Sequence, residues 1–98
     1  MLNKNYQAKA NRAWSAAVTL RELINDKSKL YQNEAVEAIR ASHGDEFIYQ
    51  NQNGPAIDRH VLGDFEMFTQ DEIVWAKAGQ YWRYRRENDP TDRREVRF

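Results

Sequence analysis

Apolar residues recur at Ala10, Ala13, Trp14, Ala17, Leu20 and Ile24, a three-to-four spacing that puts them on one side of a helix. No Gly or Pro interrupts Gln7 to Asp26, so the pattern predicts an amphipathic helix there, with Lys9, Arg12 and Arg21 nearer water. "NDKSK" ends it. "LYQ" reads as a short extended piece before a second helix. Asn33 is the expected N-cap of that helix, and Glu34 and Glu37 suit the positive end of its dipole. Ala35, Val36, Ala38 and Ile39 supply its inner face, and Gly44 can close it with a left-handed cap.

The next segment, "FIYQNQNGPAID", alternates from Phe47 to Tyr49 as a short strand does. Gln50 to Pro55 then forms a turn, with Asn53 and Gly54 the residues that tolerate positive φ. Asp58 can cap a third helix from Arg59 to about Thr69, with Val61, Leu62, Phe65 and Phe68 inward. Gly63 weakens that helix by about 1 kcal/mol relative to Ala. In "EIVWAKAGQYWRYR" two β-rich runs bracket "KAG", a hairpin with Gly79 suited to a bulged turn. On its second strand Trp82 and Tyr84 face one way, while Tyr81, Arg83 and Arg85 face the other, expected wet, side. "ENDPTDRREVRF" is polar and interrupted by Pro90, and reads as a mobile tail.

These elements predict one α+β domain over residues 1–86, three helices plus a C-terminal β-hairpin, and a charged tail over 87–98. The order helix, extended piece, helix, connector, helix, hairpin is that of a winged helix-turn-helix domain. One departure is the connector between the second and third helices, about fourteen residues where a tight helix-turn-helix uses three or four.

Composition narrows the class. A chain of 98 residues, 41% hydrophobic, is long enough for one core without staples. It has no cysteine, hence no disulfide framework, thiolate zinc site or thiol nucleophile. No apolar run approaches the roughly 20 residues of a membrane span. "MLNKNYQAKANRAW" carries no signal-peptide core, so a cytoplasmic protein is expected. Fifteen basic and fifteen acidic residues balance, but not evenly. Residues 1–32 carry +4, 33–57 carry −3, 58–72 carry −4 and 73–98 carry +3. Basic ends flank an acidic middle.

"LYQNEAV", "GDEFIYQNQNGPAID", Val61-Leu62, Phe65, Val74-Trp75 and "WRYR" at Trp82 to Arg85 together resemble the signature of a small bacterial family of unknown function. Its pattern is a tyrosine-glutamine entry to a helix, an aromatic strand, an Asn-x-Asn-Gly turn and a Trp-bearing hairpin. The resemblance covers roughly residues 20–86. Pro55 stands where that pattern carries Asn-Leu, so the turn conformation is not carried over. The resemblance implies a shared fold and brings no activity or catalytic residues.

An enzyme is not expected. His43 falls at a helix end and His60 in the first turn after a cap, and Asp58, His60 and Asp64 do not share a helix face as metal ligands would. Asp45-Glu46 and Asp71-Glu72 are neighbours whose side chains point apart, unlike an opposed catalytic pair. Neither a metal nor a cofactor is expected. For DNA, the third helix would have to enter the major groove, yet "DRHVLGDFEMFTQDE" has one arginine against five acids. Lys4, Lys9 and Arg12 on the first helix and Lys77, with Arg83, Arg85 and Arg86, on the wing are the candidate phosphate contacts. Nucleic acid is therefore the second reading, and the first is a non-catalytic module that binds a protein partner or itself. Trp, Tyr and Arg are enriched at interface hot spots, which nominates Tyr81, Arg83, Arg85 and Arg86. Asn51 and Asn53 join them from a polar loop that reads first as a connector and second as a binding loop. Trp14, alone among alanines, is the candidate for a homodimer contact.

Overall fold

Small side chains set the spacing of the helices. In the computed structural model, which describes residues 4–98 with side chains from Gln7 onward, α1 spans Lys4–Lys27. Its Ala13, Ala16, Ala17, Leu20 and Ile24 are buried in the main core. That core also holds Val61 and Phe65 of α3 (Arg59–Thr69) and Val36 and Ile39 of α2 (Gln32–His43). Three alanines with no side-chain entropy to lose let α1 lie close against its neighbours. The alanines around Trp14 are thus used within the chain.

Helix entry and exit follow capping chemistry, with two corrections. Asp58 accepts the His60 backbone N–H at 2.8 Å and caps α3 as expected. Asn33 is not the cap of α2: the helix begins at Gln32 after Tyr31, and Glu34 reaches back to accept the Tyr31 N–H at 3.2 Å. Asn33 lies inside the first turn and accepts the Glu34 N–H. Gly44 donates to Arg40 as a closing residue, but at φ 73°, ψ −157° it is not in the left-handed helical region.

The fourteen-residue connector is itself a hairpin. Strand β2 (Ile48–Asn51) pairs antiparallel with β3 (Gly54–Ile57), with Gln50 opposite Pro55 and Asn51 opposite Gly54. Asn51 Oδ1 accepts the Asn53 N–H at 2.7 Å, the local bond that lets asparagine build a tight turn. Only Gly54, at φ 109°, takes the positive torsion; Asn53 does not. Phe47 and Ile57 are buried at the hairpin's base.

A four-stranded sheet completes the fold. Its order is β1 (Lys29–Tyr31), β5 (Tyr81–Tyr84), β4 (Ile73–Ala76) and β6 (Glu95–Val96). The first three strands run antiparallel and β6 runs parallel to β4. Register puts Leu30, Trp82, Trp75, Ile73 and Tyr84 on one face, against the helices. In the β4–β5 turn the positive torsion falls on Gln80, not Gly79. Gly79 serves close approach: a Cβ there would meet the Tyr81 ring at 2.4 Å.

The other face carries the principal difference from expectation. Val74, Ala76 and Arg83 share it, and it is not wet. The 87–98 segment, expected to be a mobile tail, lies along the sheet. Trp75, Lys77 and Ala78 donate backbone bonds to Arg94, Val96 and Arg97. Val96 joins Val74 and Ala76 in a second small apolar cluster. Apolar residues on both faces of β4 require cover on both sides, and this segment is what the chain has for the second. No helix of the described residues is long and apolar enough to cross a membrane.

Candidate functional site

The residues nominated from sequence divide among three environments. Arg83 was expected on an open face, but its side chain is only 6% exposed. It forms a two-pronged ion pair with Asp89, itself 10% exposed, at 2.8 and 3.0 Å. It also donates to the carbonyls of Tyr84 and Phe98. Asp89 accepts the Arg86 backbone N–H as well. The Arg83 guanidinium, followed by that N–H, holds the Asp89 carboxyl well below the usual carboxylate range. Asp89 in turn raises Arg83. The two terminal nitrogens of Arg83 make all of its side-chain bonds, while Arg83 Nε is buried without a partner.

Arg85 is committed too. It donates to the carbonyls of Asp71, Pro90 and Arg93, tying the end of β5 to the C-terminal segment. Neither arginine is available to a partner in this arrangement. The sequence did hold the signal: in "IVWA" the residues sharing a face with Arg83 are Val74 and Ala76, and an apolar pair on a supposedly wet face announces a covering layer.

Tyr81 is half-buried rather than exposed. Its ring lies 5.3 Å from that of Tyr31, and Lys29 Nζ sits 4.1 Å over Tyr81 and 5.0 Å over Tyr31. Tyr31 and then Tyr81 raise the Lys29 pKa by favouring its charged form. Arg12, a candidate phosphate contact, is bound by Glu46 at 2.6 and 2.8 Å. The pair raises Arg12 and lowers Glu46. Lys9 is exposed, and Lys4 lies outside the described side chains. Trp14 is 45% exposed and packs edge-on against Phe68 of α3 at 4.2 Å.

Asn51 and Asn53 do meet one other candidate, Lys77. They line a cleft of about 390 Å³ between the β2–β3 hairpin, α3 and the helix-facing side of the sheet. Tyr49, Leu62, Trp75, Lys77 and Gln80 share its walls, and Arg94 and Glu95 close one end. Tyr49 is half-exposed. Trp75 lies against Trp82 at 4.6 Å, and Trp82 against Phe65 at 5.9 Å, so the floor of the cleft is the upper surface of the core. Sequence reasoning passed over Tyr49 and Trp75 as site residues. The hairpin alternation Tyr49, Asn51, Asn53 marked one face, but what it faces depends on how the hairpin lies over the sheet.

A second cleft, about 820 Å³, lies on the other side of β4 between the β4–β5 turn and the C-terminal segment. Lys77, Arg86, Arg93 and Arg97 line it with Asp89, Glu95 and Phe98. No group of three or more His, Asp or Glu side chains among the described residues converges as a metal site would require. His60 Nδ1 meets Asp58 at 2.9 Å beside the α3 cap, while His43 approaches Ser42 and Ser15.

No curated protein and no solved structure matches the chain. Residues 12–84, from α1 through β5, match a family of unknown function (DUF6953), and the chain belongs to that family.

Proposed function

We propose that this protein is a non-catalytic binding module of the bacterial cytoplasm, and that it docks a protein partner in the cleft beneath the β2–β3 hairpin. The observation that carries the reading is the composition of that cleft. Tyr49 and Trp75 offer apolar area, while Asn51, Asn53 and Gln80 offer amide donors and acceptors around them. An aromatic floor with a polar rim is the arrangement interfaces use. On this reading the long connector serves as one wall of a docking site as well as joining two helices.

Self-association is the weaker form of this reading. Ala13, Ala16 and Ala17 are covered by the chain's own core, leaving Trp14 as the exposed residue that would anchor a second copy. The pairing of β1 with β5 and of β5 with β4 also supports a winged-helix-like assignment. Duplex recognition through α3 is disfavoured, since Asp64 and Glu66 would approach phosphates.

The test compares affinity capture by the wild type, Asn53→Arg and Trp75→Ala, followed by calorimetric titration of any captured protein. Expected is a saturable complex weakened at least tenfold, about 1.4 kcal/mol, by either cleft substitution and unchanged by Glu22→Lys on α1. A complex indifferent to both cleft substitutions, or none, refutes the reading.

A further inference from the structure

Charge pairing within the chain isolates a group of cations. Arg12, Arg21, Lys27, Arg40 and Arg83 each face a carboxylate, and Arg85 and Arg94 are held by backbone carbonyls. Among the described residues Lys77, Arg86 and Arg97 have neither an ion pair nor a side-chain hydrogen bond, and all three line the 820 Å³ cleft. Arg93 adds a fourth cation, met only by Asp92 at 3.5 Å on the exposed surface. Against them stand Asp89, already neutralised by Arg83, and Glu95. A chain of zero net charge therefore leaves a concentrated positive field at one place. Beside it the Phe98 ring is 69% exposed, with the Arg97 guanidinium 5.6 Å from its centre.

We propose that this cleft binds a single strand of nucleic acid, with phosphates at Lys77, Arg86 and Arg97 and a base stacked on Phe98. The chemistry is that of single-strand readers, which combine a cationic groove with exposed aromatic rings on which unpaired bases stack. A duplex keeps its bases stacked and cannot use Phe98 in this way. The cleft lies on the face of the sheet away from the helices, so α3 and its acids do not oppose the strand. The site keeps Lys77 and Arg86 of the expected wing and leaves out α1, where Arg12 is held by Glu46.

The test is fluorescence anisotropy of a labelled short oligothymidine and of a duplex of mixed sequence, titrated with the full chain at 50 and 200 mM salt. Three phosphate contacts on a single strand give a slope of about −2 in log K against log salt, a loss of about 20-fold between those concentrations. Combined Lys77→Gln, Arg86→Gln and Arg97→Gln abolishes both the affinity and the slope. Among the described residues these side chains make no ion pair or hydrogen bond, and an unchanged thermal melt verifies that the variant folds. Phe98→Ala weakens binding about fivefold or more. Lys9→Gln with Arg59→Gln, exposed cations elsewhere, leaves it within twofold. Absence of binding at 50 mM salt overturns the proposal, as does binding retained by the triple variant. Duplex held as tightly as the single strand overturns it too.

Discussion

At the scale of single residues, Arg83 and Asp89 show how a charge can be structural in a chain rich in surface charges. Their pair is nearly excluded from water, with side chains 6% and 10% exposed, so removing one partner strands the other. Asp89→Ala should cost about 3 kcal/mol in urea denaturation, while Arg83→Met with Asp89→Leu should come close to neutral. The pH dependence has a defined sign. The Asp89 carboxyl is depressed in the native state, so the unfolded chain binds the proton more tightly. The contribution is complete above the unfolded carboxylate value of about 4 and is lost as pH falls below it toward the native one. Glu34 and Glu46 are depressed as well, and act in the same direction with less weight because both are more exposed. Acid titration of stability should therefore be shallower in Asp89→Ala than in the wild type. Gly54 is a second informative position. At φ 109° nothing lies within 4 Å of an added Cβ, so Gly54→Ala tests backbone strain alone. It should cost about 1–2 kcal/mol, read from a thermal melt, with the hairpin still formed.

At the scale of elements, helices were more legible than strands. Asp58, the Arg59–Thr69 span and the inner residues of α3 follow from a local cap and a local period, both of which live within a few residues. The β2–β3 pairing was legible as an aromatic run and a turn, but not as a hairpin, because Pro55 and Gly54 on the returning strand are poor strand formers. Their pairing partners, not their propensity, make them a strand. The short β6 was not legible at all. Two residues of strand in "REVRF" hold their place through backbone bonds to β4 and through Val96 against Val74 and Ala76. Val96→Asp should release it: amide exchange at Trp75, Lys77 and Ala78 should become fast, with α1 and α3 protection unchanged. Continued protection of those three amides would show that β4 is shielded by something other than β6.

At the scale of the whole molecule, the three helices and the antiparallel β1–β5–β4 sheet place two clefts on opposite sides of one strand. Trp75 faces the first, with its amide rim, and Lys77 borders both. The sequence by itself determined the α+β class, the helix spans to within a few residues, the hairpin from Ile73 to Tyr84 and the amides of the connector. Those are encoded in periodicity, caps and turn residues that act over short separations. Only the tertiary structure decided which cations stay unpaired among the described residues. Arg12, Arg83 and Arg85 look identical to Lys77 and Arg86 in sequence, and are distinguished by partners 34, 6 and 14 residues away. Electrostatic pairing depends on distance in space and on water excluded by neighbouring segments, and neither is written in local order.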